Sequence, residues 1–98
     1  MMNEKLRNKE TEQLFLALAS LKNVEEIEAF FDDLCTVNEI KSLSQRLEIA
    51  KLLRSGTPYT EIVRRTDSST ATITRVNRCL QYGSDGYTMV LERLEGKA

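Results

Sequence analysis

The 98-residue sequence has no histidine, two cysteines, one proline and four glycines, and these shortages exclude several chemistries. Without histidine, the commonest general acid–base and the commonest metal ligand at neutral pH are both missing. No Gly-rich phosphate loop and no nucleophile paired with a base can be found, so an enzyme is not expected. Cys35 and Cys79 lie 44 positions apart and match no zinc-ligand spacing. They read as small buried apolar side chains in a reducing cytoplasm, a disulfide or redox switch being the alternative. Asp32 and Asp33 read as the solvated face of a helix, and Gly83-Ser84-Asp85-Gly86 lacks the alternating acidic ligands of a calcium loop, so no metal is expected. The longest apolar run, Leu14 to Ala19, is far below the ~18 to 20 residues a membrane span needs. Met1 to Arg7 is too polar for a signal peptide, and a cytoplasmic chain without a membrane partner is the expectation.

What is present is charge, unevenly placed. Residues 1–40 carry four Lys/Arg against nine Asp/Glu, whereas residues 41–98 carry ten against six, so the two stretches sit near −5 and +4. The near-zero total hides this asymmetry, which admits a polyanionic partner for the second stretch. A chain this short buries a modest fraction of its surface alone, which leaves room for a core shared with a second copy.

One proline, four glycines and apolar positions repeating at 3.6 residues predict an all-α protein of about six helices. The first spans roughly Lys9 to Leu21, with Leu14, Leu18 and Leu21 in one stripe and Phe15, Leu16, Ala17 and Ala19 making it apolar nearly all round. Such a helix needs cover on more than one side. Asn23 with Glu26 predicts an N-cap whose glutamate reaches back to the cap's own N–H, opening a helix from Val24 to Leu34 that buries Ile27, Phe30, Phe31 and Leu34. Thr36 with Glu39 is a second capping box and opens a long helix to about Arg54. Its inward positions are Ile40, Leu43, Leu47, Ala50 and Leu53, broadened by Ile49 and Leu52, and Gly56 closes it. Pro58 is expected at the first position of a short helix to about Arg65 that buries Ile62 and Val63. Asp67 and Ser68 favour a turn, and Ser69 caps a fifth helix to about Tyr82 with Ile73, Val76 and Leu80 inward. Val90, Leu91 and Leu94 mark a last helix over about residues 86–95.

Residues 57–80 therefore read as a short helix, a tight turn and a second helix, carrying Arg64, Arg65, Arg75 and Arg78. With Ile73, Val76 and Leu80 buried, helical geometry turns Thr70, Ala71, Thr74 and Arg78 outward, with Ser69 and Thr72 near the leading end. This is the outline of a DNA-reading helix-turn-helix. Small hydroxyls and methyls admit close approach to base edges, and Arg75 or Arg78 can reach guanine or a phosphate. Thr60, Arg64 and Arg65 on the preceding helix suit phosphate contacts that orient without reading sequence. The alternative from the same residues is an amphipathic helix pair with solvated arginines, in a helical dimer that acts through protein partners.

Ala71-Thr72-Ile73-Thr74-Arg75 resembles the start of the recognition helix in the Trp repressor family. Leu34, Thr36-Val37-Asn38-Glu39 opening a helix, Arg46, Ile49, Leu53 and Gly56 extend the match, with one residue of spacing difference near Thr57-Pro58. The resemblance covers about residues 9–95. The stretch from Gln45 to Leu53, followed by Gly-x-x-Tyr, is similar to the YerC/YecD branch of repressor-like proteins. It implies a single domain over residues 1–98 that forms an intertwined homodimer: dimerisation helices at about 9–54, a helix-turn-helix at about 58–82 and a C-terminal helix at about 86–95. Each dimer would present two heads to successive major grooves of a palindromic operator on double-stranded DNA, as a transcriptional repressor.

The resemblance also implies a corepressor gap. In the Trp repressor, tryptophan lies between two arginines that correspond to Arg46 and Arg75, with Thr36 at the edge. The glycine that follows the second arginine there is Val76 here, and a serine one turn on is Cys79. A β-branched side chain takes up room the indole needs. Tryptophan is therefore not the expected ligand, and another small molecule or none remains open.

Overall fold

The computed structural model describes residues 4–96. These form a short 3-10 turn at Glu4–Leu6 and six helices: α1 Lys9–Ala19, α2 Val24–Leu34, α3 Val37–Arg54, α4 Tyr59–Thr66, α5 Thr70–Tyr82 and α6 Gly86–Gly96. No strand occurs among the described residues, so the fold is all-α. The backbone divides into two compact units, one up to Ile40 and one from Lys41, and the division falls where the charge changes sign along the chain.

In the N-terminal unit the helices are set by local hydrogen bonds. Asn8 caps α1, its Oδ1 accepting from the Thr11 amide at 2.8 Å and the Thr11 hydroxyl at 3.0 Å. The α1 helix ends at Ala19, earlier than the apolar pattern predicts, because the Ser20 amide and hydroxyl both turn back onto the Ala17 carbonyl. Asn23 caps α2 as expected, accepting from the Glu26 amide at 2.9 Å. Glu26, however, accepts from the Lys22 amide at 2.9 Å and not from the cap's own N–H. The box at Thr36 is reciprocal: Thr36 Oγ1 accepts from the Glu39 amide at 3.1 Å, and Glu39 Oε1 accepts from the Thr36 amide at 2.8 Å. The donated Thr36 amide holds the Glu39 carboxyl below its ordinary value.

Neither α1 nor α2 buries a side chain. The expected burial of Ile27, Phe30, Phe31 and Leu34 is not met within one chain: Ile27 is 43% and Leu34 51% exposed, and the two phenylalanines are half-buried. Phe15 at 47% and Leu16 at 73% are open as well. Two eleven-residue helices offer too little surface to enclose apolar stripes on several sides.

The buried core lies in the C-terminal unit. Ile49, Ala50 and Leu52 of α3 meet Ile62 of α4, Ile73 and Val76 of α5 and Leu91 of α6, with Leu47, Leu53, Val63 and Leu80 packed around them. On α3 Ala50 is enclosed as expected, but its enclosed neighbours Ile49 and Leu52 are the two expected only at the edge of the stripe, while Leu43 is exposed and Ile40 half-buried. Helices α4, α5 and α6 supply the cover within this unit, so the buried arc follows them and not the mean of the apolar pattern.

The links are short and chemically explicit. Gly56, at φ 79°, closes α3 in a Schellman motif, with the Gly56 amide on Leu53 O and the Thr57 amide on Leu52 O. Thr57 is thus still bound to α3. Pro58 consequently stands one place earlier than expected, as the extended N-cap of α4, its carbonyl accepting from Glu61 and Ile62. Gly83 ends α5 where a Cβ would lie 2.4 Å from the Cys79 carbonyl oxygen, so only glycine fits. Arg54 of α3 bridges to Glu95 at 3.2 Å and Glu92 at 3.9 Å on α6, exposed pairs of small energetic weight. In the last helix Leu91 is buried while Val90 and Leu94 face out. Cys35 is half-buried and Cys79 exposed, against the expectation of two buried thiols, because Cys79 sits beside the inward row of Ile73, Val76 and Leu80.

Candidate nucleic-acid interface

Helices α4 and α5 are joined by three residues, a helix-turn-helix in the strict geometric sense. Asp67 ends α4 in the left-handed region at φ 53°, which a short polar side chain tolerates, and its amide returns to the Val63 carbonyl at 2.9 Å. Ser68 points inward and is buried. Ser69 caps α5, accepting from the Thr72 amide at 3.2 Å, and its hydroxyl pairs with that of Thr72 at 3.0 Å. Two of the residues expected near base edges therefore already hold each other at the helix start.

Ile73 and Val76 are enclosed in the core, which fixes the rotation of α5 about its axis. Thr70, Ala71, Thr74, Arg75 and Arg78 are exposed, Thr72 is half-buried, and on α4 Thr60, Arg64 and Arg65 are exposed. The division between inward and outward side chains thus follows the periodicity. The four arginines are not equivalent. Arg64 is ion-paired one turn back with Glu61, its Nε donating to Oε2 at 3.2 Å and its NH2 group to Oε1. That hydrogen bond lowers the Glu61 pKa and raises that of Arg64. Arg65, Arg75 and Arg78 form no ion pair among the described residues.

The residues of the expected ligand gap behave differently from one another. Thr36 belongs to the N-terminal unit, where its hydroxyl caps α3. Arg46 is half-buried and its Nε–H lies 3.4 Å from the Ser42 carbonyl one turn back, while Arg75 is exposed. Val76 is only 1% exposed and belongs to the core cluster. Cys79 lines an open cavity of about 540 Å³ with Leu47, Gly83, Tyr87, Met89 and Val90. Neither Arg46 nor Arg75 lines that cavity.

A contact that no sequence pattern announces ties this unit together. Gln45 of α3 donates through Nε2 to the Thr66 carbonyl at 2.9 Å, and the Thr66 hydroxyl lies 2.7 Å from both the Ile62 carbonyl and the Ser68 hydroxyl. The Asn8 cap was also missed, although Asn8 followed by Thr11 carries its signal.

The family model described as Trp repressor protein matches residues 9–95. The chain belongs to the Trp repressor family. Trp repressor family proteins are DNA-binding transcription regulators and not enzymes. The uncharacterized protein YerC of Bacillus subtilis (strain 168) is 57% identical over 95 residues, covering 97% of this chain and 91% of that protein. A protein of Staphylococcus aureus, solved as a candidate Trp repressor, superposes with a TM-score of 0.90 at 54% identity, covering 97% of this chain and 95% of that one. A TrpR-like protein from Eubacterium eligens ATCC 27750 gives the same TM-score at 56% identity, with 95% and 96% covered. The likeness to YerC agrees with the branch that the Gln45 to Leu53 stretch resembles. Among the described residues no group of three or more potential ligands could hold a metal ion, and no helix is long and apolar enough to cross a membrane.

Proposed function

We propose that this Trp repressor family chain is a sequence-specific transcriptional repressor, which as a homodimer occupies a palindromic operator in the cytoplasm. The observation that carries the reading is the orientation of α5, whose Ile73 and Val76 are buried while Thr70, Ala71, Thr74, Arg75 and Arg78 face out. With α5 in the major groove, Thr70, Ala71 and Thr74 meet base edges and thymine methyls, and Arg75 and Arg78 reach guanine or phosphate. Ser69 and Thr72 stand at the entry of the helix, where the hydroxyl capacity left over from capping can reach a base or the backbone. Thr60, Arg64 and Arg65 hold phosphates, Arg65 more freely because Glu61 already engages Arg64.

The open apolar side chains of α1 and α2, Phe15, Leu16, Ile27 and Leu34, support a second copy as their cover. A two-fold dimer implies half-sites roughly 34–36 Å apart. Tryptophan is not part of the reading, because the buried, β-branched Val76 stands where the Trp repressor has a glycine. Selection of bound duplexes from a random pool, followed by a salt titration of the winner, tests the proposal. Affinity should fall with a log–log slope of roughly −0.9 per phosphate contact, and Thr74→Ala should change which sequences are selected. Absence of affinity for any duplex at low salt would sink the reading and favour a dimer acting through protein partners.

A further inference from the structure

The packing of α3 against the helix-turn-helix is mostly apolar, and apolar contact is non-directional, so by itself it leaves the helices free to slide. One polar contact within this unit is directional. Thr66 is the last residue of α4, so its carbonyl has no partner within the helix. Gln45, 21 residues earlier in the chain, donates to that carbonyl at 2.9 Å in a part-buried setting. The orientation of the Gln45 amide is not arbitrary, because a carbonyl oxygen only accepts and must face the NH2 group. The Thr66 hydroxyl lies 2.7 Å from the Ile62 carbonyl, which also only accepts, so Thr66 spends its proton there. The proton between Thr66 Oγ1 and Ser68 Oγ, 2.7 Å apart, therefore comes from Ser68. Ser68 is the buried residue immediately before Ser69, the cap of α5.

We infer that Gln45 is a positioning residue for DNA reading: through Thr66 and Ser68 it pins the turn from which the groove-facing helix starts, without touching DNA itself. The inference rests on the DNA-binding reading above, and deepens it by separating the setting of the head from the contacts the head makes. Removing the pin should leave the arginines and their phosphate attraction unchanged while blurring the register of Thr70, Ala71 and Thr74 on base edges. Discrimination between sequences falls; general affinity does not.

Gln45→Met keeps length and bulk and removes the donor, and Ser68→Ala removes the second link. In the full chain, amide hydrogen exchange at Asp67, bonded to Val63, and at Thr72, bonded to Ser69, should quicken roughly five-fold, while Val76 and Leu80 within α5 stay unchanged. The ratio of affinities for a selected duplex and its scrambled counterpart should fall by a similar factor, with the scrambled affinity and the salt slope unchanged. Unchanged exchange at both amides, or an equal loss on both duplexes, overturns the inference. Should Gln45→Met fail to fold, Ser68→Ala decides by the same measurements. If the wild-type chain does not distinguish duplexes at all, it is the DNA-reading proposal that falls, and exchange alone then upholds or overturns the pin.

Discussion

Replacing Arg65 by alanine removes an exposed guanidinium that makes no ion pair, so the main change is one positive charge per chain, with only a small loss of its pull on the Glu61 carboxylate. In a dimer with both heads on DNA, two phosphate contacts disappear. At roughly −0.9 per contact, the log–log salt slope becomes shallower by about 1.8. Between 50 and 200 mM salt the wild-type advantage over Arg65→Ala should therefore shrink by roughly twelve-fold, the fourfold rise in salt raised to that power. The assay is fluorescence anisotropy of a labelled duplex across that salt range, on a selected sequence and on a scrambled one. Both duplexes should lose equally, because a phosphate contact carries no sequence information. A slope unchanged within error, or a loss confined to the selected duplex, would show that Arg65 does not meet the backbone and that α4 is wrongly oriented in the proposal.

Three further outcomes are expected. Gly83→Ala should lower the melting temperature, since its Cβ meets the Cys79 carbonyl and overpacking costs about 1–3 kcal/mol, whereas Gly86→Ala, with nothing within 4 Å, should be neutral or mildly stabilising; melts at one fixed concentration that rank them the other way refute the account. The Glu39 carboxyl is held low by the Thr36 amide, so its stabilisation is fully present above the unfolded value of about 4.3 and is lost as pH falls through the lower folded value; the stability gap between wild type and Glu39→Gln, which keeps the acceptor but not the charge, should be flat at neutral pH and narrow in acid. Val76→Gly should destabilise by about 2–4 kcal/mol through a cavity and a helical glycine, and added tryptophan should raise the melting temperature of this variant only; a rise in the wild type would mean that Val76 does not block the indole.

The unequal arginines change how the interface should be probed. On charge alone Arg64 and Arg65 are adjacent twins, but Glu61 pairs directly with Arg64 and attracts the exposed Arg65 only weakly, without contact. A carboxylate beside a phosphate-seeking arginine also repels the backbone it would approach, so Glu61 tempers the attraction that α4 exerts on any duplex.

Much of the fold was legible because its signals act over four residues or fewer. The caps at Asn23, Thr36 with Glu39, and Ser69, and the glycine at position 56, each concern hydrogen bonds between neighbours in the chain, and each stands where the residue types put it. The outward row on α5 was legible for the same reason, since a helix converts spacing into direction without help from the rest of the chain. Even here the reach was short: Glu26 found Lys22 and not Asn23, and Pro58 shifted by one place because the Schellman bond of Thr57 came first.

The sequence by itself determined that the chain is helical, where most helices begin and end, and which side of α5 can meet a partner, since propensity, capping and periodicity are properties of contiguous residues. Only the tertiary structure decided which face of α3 is enclosed, that Cys79 is open, and that Gln45 reaches Thr66 across 21 positions. Those outcomes depend on what other segments bring alongside, and burial is a property of the assembled surroundings rather than of the residue that is buried.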